Sequence, residues 1–103
     1  MIRISFLTLT EADAVELAGV LHEHGLLMFD TIEEHVDLVW VSGHLERRSL
    51  THLIGFTKAL LHSTVERTAM ELLGERLVRV WAQPVTALDP KSTKELMERM
   101  AKV

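Results

Sequence analysis

The start of the chain changes its apolar spacing from that of a strand to that of a helix. Residues 2–9 alternate and are rich in β-branched and aromatic side chains, which predicts a β-strand. Thr10 stands where a helix N-cap is expected, and Gly25 stands where that helix is expected to end. The apolar residues between them fall on one helical face: Ala14, Leu17, Ala18 and Leu21.

The middle of the chain predicts further strands. Residues 26–29 open an apolar run, which we expect the acidic pair at 33–34 to interrupt. Strand character resumes over 36–41, and a Ser-Gly turn follows at 42–43. Residues 50–56 are predicted to form the next strand, because their apolar run contains a glycine that disfavours a helix.

The last third predicts two helices and one strand. Residues 63–66 read Ser-Thr-Val-Glu, an S-x-x-E capping box that predicts the start of a helix. An earlier start near Lys58 is the open alternative, because residues 59–61 also favour a helix. Residues 77–82 predict a strand, and Pro84 keeps it from continuing in a central position of a sheet. A second S-x-x-E box at 92–95 predicts a C-terminal helix over 91–103.

This order of elements predicts a ferredoxin-like α+β sandwich of the βαββαβ type with an extra C-terminal helix. The 103 residues suit a single domain spanning 1–103. Two helices cover one face of such a sheet, so we expect a partner subunit to cover the other face. Trp40 and Trp81 are expected in the core or at a subunit interface.

The composition excludes several kinds of function. The chain contains no cysteine, which excludes disulfides, thiol nucleophiles and cysteine-ligated metal sites. A net charge of −4 argues against nucleic-acid binding, which needs a basic surface. The apolar runs are too short to insert into a membrane, and the first residues lack the layout of a signal peptide. We therefore expect a cytoplasmic protein.

With the elements in this order, the residues resemble the CutA divalent-cation-tolerance proteins and, more broadly, the trimeric PII-like superfamily. The spacing from Gly43 to the closing Pro-Val at 84–85 fits the CutA pattern. The turn at 73–76 reads Leu-Gly-Glu-Arg where that family has His-Pro-Tyr-Glu, and the segment 42–48 is too short for the long loop of PII proteins. The other matching positions are Thr8, Ala14, Leu17, Ala18, Leu21, Gly25, Leu26, Thr57, Glu66, Glu71 and Ala82.

The resemblance implies a homotrimer whose sheets face inward. It also implies that a ligand binds in clefts between subunits, built from the turn at Gly43 and the strand at 77–84. Three histidines are candidate metal ligands: His35, His44 and His52. If the two central strands pair around Gly43, His35 and His52 become cross-strand neighbours, and paired imidazoles suit Zn²⁺, Ni²⁺ or Cu²⁺. No spacing matches a defined zinc motif, so solvated or interface histidines are the open alternative.

Basic residues form a second candidate site. Arg47 and Arg48 follow the turn at Gly43 and, with Lys58 and Arg79, are candidates to bind an anion in a cleft between subunits. The alternative is a solvated turn whose charges contribute little.

No paired base and nucleophile is evident, so we do not expect an enzyme. The leading hypothesis is a trimeric CutA-like or PII-like binding or regulatory protein, linked to divalent metal ion tolerance. The alternatives are a signalling sensor of an anionic small molecule such as a nucleotide, a small dimeric ferredoxin-like enzyme, or a purely structural trimer.

Overall fold

The computed structural model describes residues 1–102 of the chain. Three α-helices lie in the order predicted, with a 3₁₀ helix at Ala59–Leu61 and another at Gly74–Arg76. The strands are Ile2–Thr8 (β1), Met28–Val41 (β2), His44–Thr57 (β3) and Leu77–Pro84 (β4). The α-helices are Glu11–Glu23 (α1), His62–Leu73 (α2) and Pro90–Arg99 (α3).

All neighbouring strands of the sheet are antiparallel, in the order β2-β3-β1-β4. The predicted ferredoxin-like βαββαβ fold with a C-terminal helix is therefore confirmed. Both β2 and β4 are edge strands. Pro84 ends β4 at such an edge, as its missing N–H requires.

The hydrophobic core lies between the helices and one face of the sheet. Ile4 and Phe6 of β1 and Leu53 of β3 are fully buried there. Burying a side chain of this size stabilises a fold by about 1.5–3 kcal/mol. The helices contribute the other members of this cluster, among them Ala14, Leu17, Leu21, Val65, Ala69, Leu73, Leu96 and Met100.

The ends of α1 agree with the sequence prediction. Thr10 is its N-cap, and its Oγ1 accepts a 3.1 Å hydrogen bond from the Asp13 N–H. Gly25 follows the helix with a φ of +66°, a conformation that glycine adopts without strain. The Leu26 N–H then donates to the Leu21 carbonyl over 2.8 Å and closes the helix end.

Neither predicted capping box starts its helix. A 3₁₀ helix runs directly into α2, so Leu61 is the N-cap position and makes no side-chain cap, and Ser63 lies inside the helix. In α3 the N-cap is Asp89, whose carboxylate accepts a hydrogen bond from the Ser92 N–H. The helix starts at Pro90 because proline has a φ that suits the first helical position. The C-terminal helix was predicted over 91–103, but α3 ends at Arg99. Residue 103 of the predicted range lies outside the described residues.

The central hairpin is longer than predicted. The acidic pair at 33–34 does not interrupt β2, because both side chains are exposed on an edge strand that tolerates charge. Ser42 and Gly43 form the predicted turn, with φ values of +49° and +82°. Since Thr8, the last residue of β1, pairs with Thr51, residues 36–49 extend past the end of β1 as a two-stranded ribbon. We call residues 36–49 the projecting hairpin.

Candidate ligand-binding face

The sheet face that points away from the helices carries four of the candidate site residues, namely His35, Arg48, His52 and Arg79. Side chains alternate along a strand, so the residues beside Ile4 and Phe6 face away from the core. Leu7 and Ile54 are buried on this second face, outside the main hydrophobic cluster. The register places the following residues with them: Arg3, Ser5, His35, Asp37, His52, Phe56, Arg79, Trp81 and Gln83.

Two of the three candidate metal-binding histidines meet on this face. The rings of His35 and His52 lie 6.0 Å apart between centroids and are nearly perpendicular. His52 also lies against Trp81, at 5.1 Å between ring centroids. Glu33 is the residue directly opposite His52 across β2 and β3, so His35 is its diagonal neighbour.

The surroundings of His52 favour its neutral form. Desolvation lowers the pKa of His52, and the charges of His35 and Arg3 lower it further, against the opposing effect of Glu33. Its Nε2 atom is buried and has no hydrogen-bond partner among the described residues. A neutral imidazole is the form that binds a metal ion.

The third histidine lies elsewhere in the chain. His44 follows the turn, and its Nε2 is 2.9 Å from Glu46 Oε1. It is about 26 Å from His52 along β3, at about 3.3 Å per residue. Within residues 1–102, no three His, Cys, Asp or Glu side chains are grouped so that they could hold a metal ion.

The arginines of the second candidate site are only partly brought together. Arg48 Nη2 donates a 2.8 Å hydrogen bond to Asp37 Oδ2, and Arg79 Nη2 lies 3.8 Å from the same oxygen. The hydrogen bond from Arg48, with the charges of Arg79, Arg48 and His35, lowers the pKa of Asp37 and outweighs desolvation. Arg47 pairs with Leu38 and therefore faces the other side of the hairpin.

The remaining two candidates lie at opposite ends of the molecule. Gly43 is at the tip of the projecting hairpin. Lys58 follows the far end of β3, and its Nζ donates a 3.1 Å hydrogen bond to the Ala101 carbonyl. In a single chain, Gly43, Lys58 and the two arginines at Asp37 therefore do not line one cleft.

Sequence reasoning did not select Asp37 as a site residue, although it joins the two arginines. The signal was available in the two-residue turn, which places Asp37 directly opposite Arg48. Two open grooves of the surface reach candidate residues of this face, His35 in one and Arg79 in the other. One of about 360 Å³ runs between α2 and β4, where Met70, Leu77 and Val78 line it.

No helix in the described part of the chain is long and apolar enough to cross a membrane.

Comparison with solved structures identifies the same fold in CutA proteins. CutA1 from Pyrococcus horikoshii matches with a TM-score of 0.88 and 18% identity, covering 99% of this chain and 100% of that one. CutA1 from Oryza sativa matches with a TM-score of 0.89 and 16% identity, covering 99% and 94%. The periplasmic divalent cation tolerance protein CutA from Archaeoglobus fulgidus matches with a TM-score of 0.83 and 16% identity, covering 96% and 98%.

No protein-family model and no curated protein sequence matches the chain. The likeness to CutA is therefore a likeness of fold at low sequence identity. For the fold, it confirms the resemblance to CutA proteins that the spacing from Gly43 to Pro84 indicated.

Proposed function

We propose that the protein is a non-enzymatic homotrimeric binding or regulatory protein of the CutA type, which binds divalent metal ions. The fold likeness to proteins named for divalent cation tolerance supports the metal link. The observation that carries the proposal is the projecting hairpin, whose apolar side chains are not covered by the described part of the chain.

One side of the projecting hairpin presents a continuous apolar patch. Trp40 and Leu45 face each other across the two strands and are 70% and 57% exposed. Leu38 and Val36 extend the patch towards the sheet and are also exposed. Contiguous exposed apolar surface of this kind is typical of interaction sites.

The two edges of the sheet support a closed assembly. Within residues 1–102, β2 and β4 each have a strand partner on one side only, and the other side is an open site for pairing with another chain. Because these two edges differ, pairing one with the other is head-to-tail, and such contacts generate rings when the rotation closes. We take the number three from the resemblance to CutA and PII-like proteins.

For the metal, we propose that His35 and His52 provide two ligands, as paired imidazoles suit Zn²⁺, Ni²⁺ or Cu²⁺. Two donors do not complete a site, so a third has to come from another copy. His44, near the tip of the projecting hairpin, is our candidate for that donor.

Native mass spectrometry tests the assembly and the metal together. We expect a trimer that takes up Zn²⁺ or Cu²⁺ in fixed stoichiometry. Leu45→Ser should dissociate the trimer, whereas Leu60→Ser, a matched change at a leucine 79% exposed outside the hairpin, should not. His52→Gln should abolish metal uptake and His62→Gln, on α2, should preserve it. A monomeric wild-type protein would contradict the proposed trimer. Metal uptake that His52→Gln leaves unchanged would contradict the proposed metal site.

A second candidate function is the sensing of an anionic small molecule such as a nucleotide. The convergence of Arg48 and Arg79 on Asp37 favours it, since an anion that displaces the Asp37 carboxylate meets two guanidinium groups there. Adding ATP in the same native mass spectrometry experiment distinguishes the metal-binding function from the sensor. Binding of ATP in fixed stoichiometry without metal uptake supports the sensor. A dimer would instead favour the ferredoxin-like enzyme.

We also propose a cytoplasmic location, which stays a prediction from the sequence. The Archaeoglobus fulgidus protein of the same fold is named as periplasmic. Cell fractionation with compartment markers decides between the two.

A further inference from the structure

The groove between α2 and β4 lies on the helix side of the sheet, beside the open edge of β4. Val80 of β4 pairs with Phe6 and packs against the core, so it faces the helices. Met70 and Glu66 of α2 form the other wall of the groove. Met70 is 56% exposed, although it lies beside the apolar residues of β4. A largely apolar groove of about 360 Å³ is therefore left uncovered within residues 1–102.

The apolar patch of the projecting hairpin faces the same side of the sheet as this groove. Ile32 of β2 pairs with Leu53 of the core cluster, so its side chain points to the helix side. Trp40 lies an even number of positions further along β2 and therefore points to the same side. When the edge strands of two copies join into one sheet, the helix-side residues of both lie on one surface. Joining β2 of one copy to β4 of another therefore brings the patch to the groove.

The segment of β2 that suits the groove is the one in the projecting hairpin. The side chains at 33–34 are both carboxylates, which discourage an edge strand from pairing with another chain. Further along β2, the helix-side residues Val36, Leu38 and Trp40 are all apolar and exposed. This part of β2 extends past the end of its own β1, so it is able to lie along the β4 edge of another copy. We therefore match residues 36–41 with β4.

The charges at the patch and at the groove are opposite in sign. Arg47 lies directly opposite Leu38 and is exposed on the patch side of the hairpin. Glu66 lines the groove, and its neighbour His62, at 3.5 Å, is charged only when protonated. A carboxylate that an apolar contact shields from water needs a cationic partner. The patch carries such a cation in Arg47, whose planar guanidinium suits a carboxylate.

We propose that the groove between α2 and β4 receives the projecting hairpin of a second copy, with Trp40 packed against Met70 and Arg47 paired with Glu66. This inference rests on the proposed homotrimer and names the surfaces through which its copies associate. Every copy carries both a hairpin and a groove, so the contact is head-to-tail and repeats until the ring closes. One contact thereby covers both the exposed patch and the exposed groove.

Charge reversal tests the ion pair between copies, with the oligomer distribution read by native mass spectrometry. Arg47→Glu and Glu66→Arg each place like charges across the contact, so each should weaken assembly about ten-fold or more. Combining the two reversals in one chain should restore most of the assembly. Arg47→Glu with Glu23→Arg is the matched control, because it has the same net charge but changes an exposed residue at the end of α1. A double reversal that assembles no better than this control would overturn the pair.

Cross-linking tests the docking itself without altering the patch or the groove. The chain contains no cysteine, so single cysteines introduced by substitution are its only thiols. Val41→Cys lies beside Trp40 and points to the other side of the hairpin, and Arg67→Cys lies on α2 next to Glu66. A short bismaleimide should link these two variants when they are unfolded and refolded together. Val41→Cys mixed with Glu23→Cys is the control and should give no such product.

The outcomes separate this contact from the proposed function. A monomeric wild type would overturn both the homotrimer and the contact. An oligomeric wild type in which residue 41 links to residue 41 of another copy, or to residue 23, would overturn the contact and leave the oligomer in place. A link from residue 41 to residue 67, together with rescue by the double reversal, is the expected result.

Discussion

Arg76 Nη1 donates a 2.7 Å hydrogen bond to Asp13 Oδ1, which ties the segment before β4 to the first turn of α1. Asp13 is largely buried, and desolvation alone raises the pKa of its carboxyl group. Hydrogen bonds from Thr10 and Arg76, together with the charge of Arg76, outweigh this and leave the pKa below its ordinary value of 3.8.

This lowered pKa predicts an acid-dependent contribution to stability. A carboxyl group whose pKa is lowered by folding stabilises the fold above its unfolded pKa, and the contribution is lost as pH falls through the folded pKa. We expect Asp13→Asn to lower the free energy of unfolding near neutral pH and to differ less from wild type as the pH falls below the ordinary pKa of about 3.9 for an aspartate. Urea unfolding across this range measures it. Arg76→Gln should behave alike, and a difference from wild type that stays constant with pH would contradict the expectation.

The two Ser/Thr caps considered from the sequence should respond differently to alanine. Thr10→Ala removes a cap that accepts a hydrogen bond and should cost about 1 kcal/mol. Ser63→Ala should change stability by less than about 0.5 kcal/mol, because Ser63 lies within α2 and caps nothing. Chemical denaturation of both variants provides the comparison. A cost of about 1 kcal/mol for Ser63→Ala would favour the predicted capping box over the observed helix start.

Residue pairing in the hairpin could be predicted from its turn alone. Ser42 and Gly43 form a two-residue turn. Each residue of β2 therefore pairs with the residue of β3 that lies the same number of positions from the turn. This rule brings His35 close to His52, as the sequence analysis expected, and it also pairs Asp37 with Arg48. Order of elements and core faces were equally predictable, because they follow from apolar periodicity.

Contacts between elements distant in sequence could not be predicted in this way. Arg79 reaches Asp37 because β1 ends early and leaves the sheet face open, which no local pattern encodes. The start of α2 depends on the 3₁₀ helix at Ala59–Leu61, which the S-x-x-E pattern does not reveal. The distance of Lys58 from the arginines likewise follows from the length of β3, which was predicted too short.

Gly55 in β3 is required by its packing against the segment before β2. A Cβ atom at this position would lie 2.6 Å from Cδ1 and Cγ of Leu27, which is itself buried. We expect Gly55→Ala to destabilise the protein by about 1–3 kcal/mol through overpacking. Gly19→Ala is the control, since its Cβ meets nothing within 4 Å and α1 should gain about 0.5–1 kcal/mol. Thermal unfolding measures both, and a stabilised Gly55→Ala variant would contradict the packing.

Helix α3 is held to the core by Leu96, which is fully buried although the helix is otherwise largely polar. Leu96→Ala removes buried methyl groups and leaves a cavity, so we expect it to lower the free energy of unfolding by about 2–5 kcal/mol. Leu60→Ala, the same change at a leucine 79% exposed, should cost less than about 0.5 kcal/mol. Urea denaturation of both variants makes the comparison. If the two costs were equal, α3 would not be docked through Leu96, and the buried Met100 and the hydrogen bonds of Ala101 with Gly25 and Lys58 would be the attachments to test.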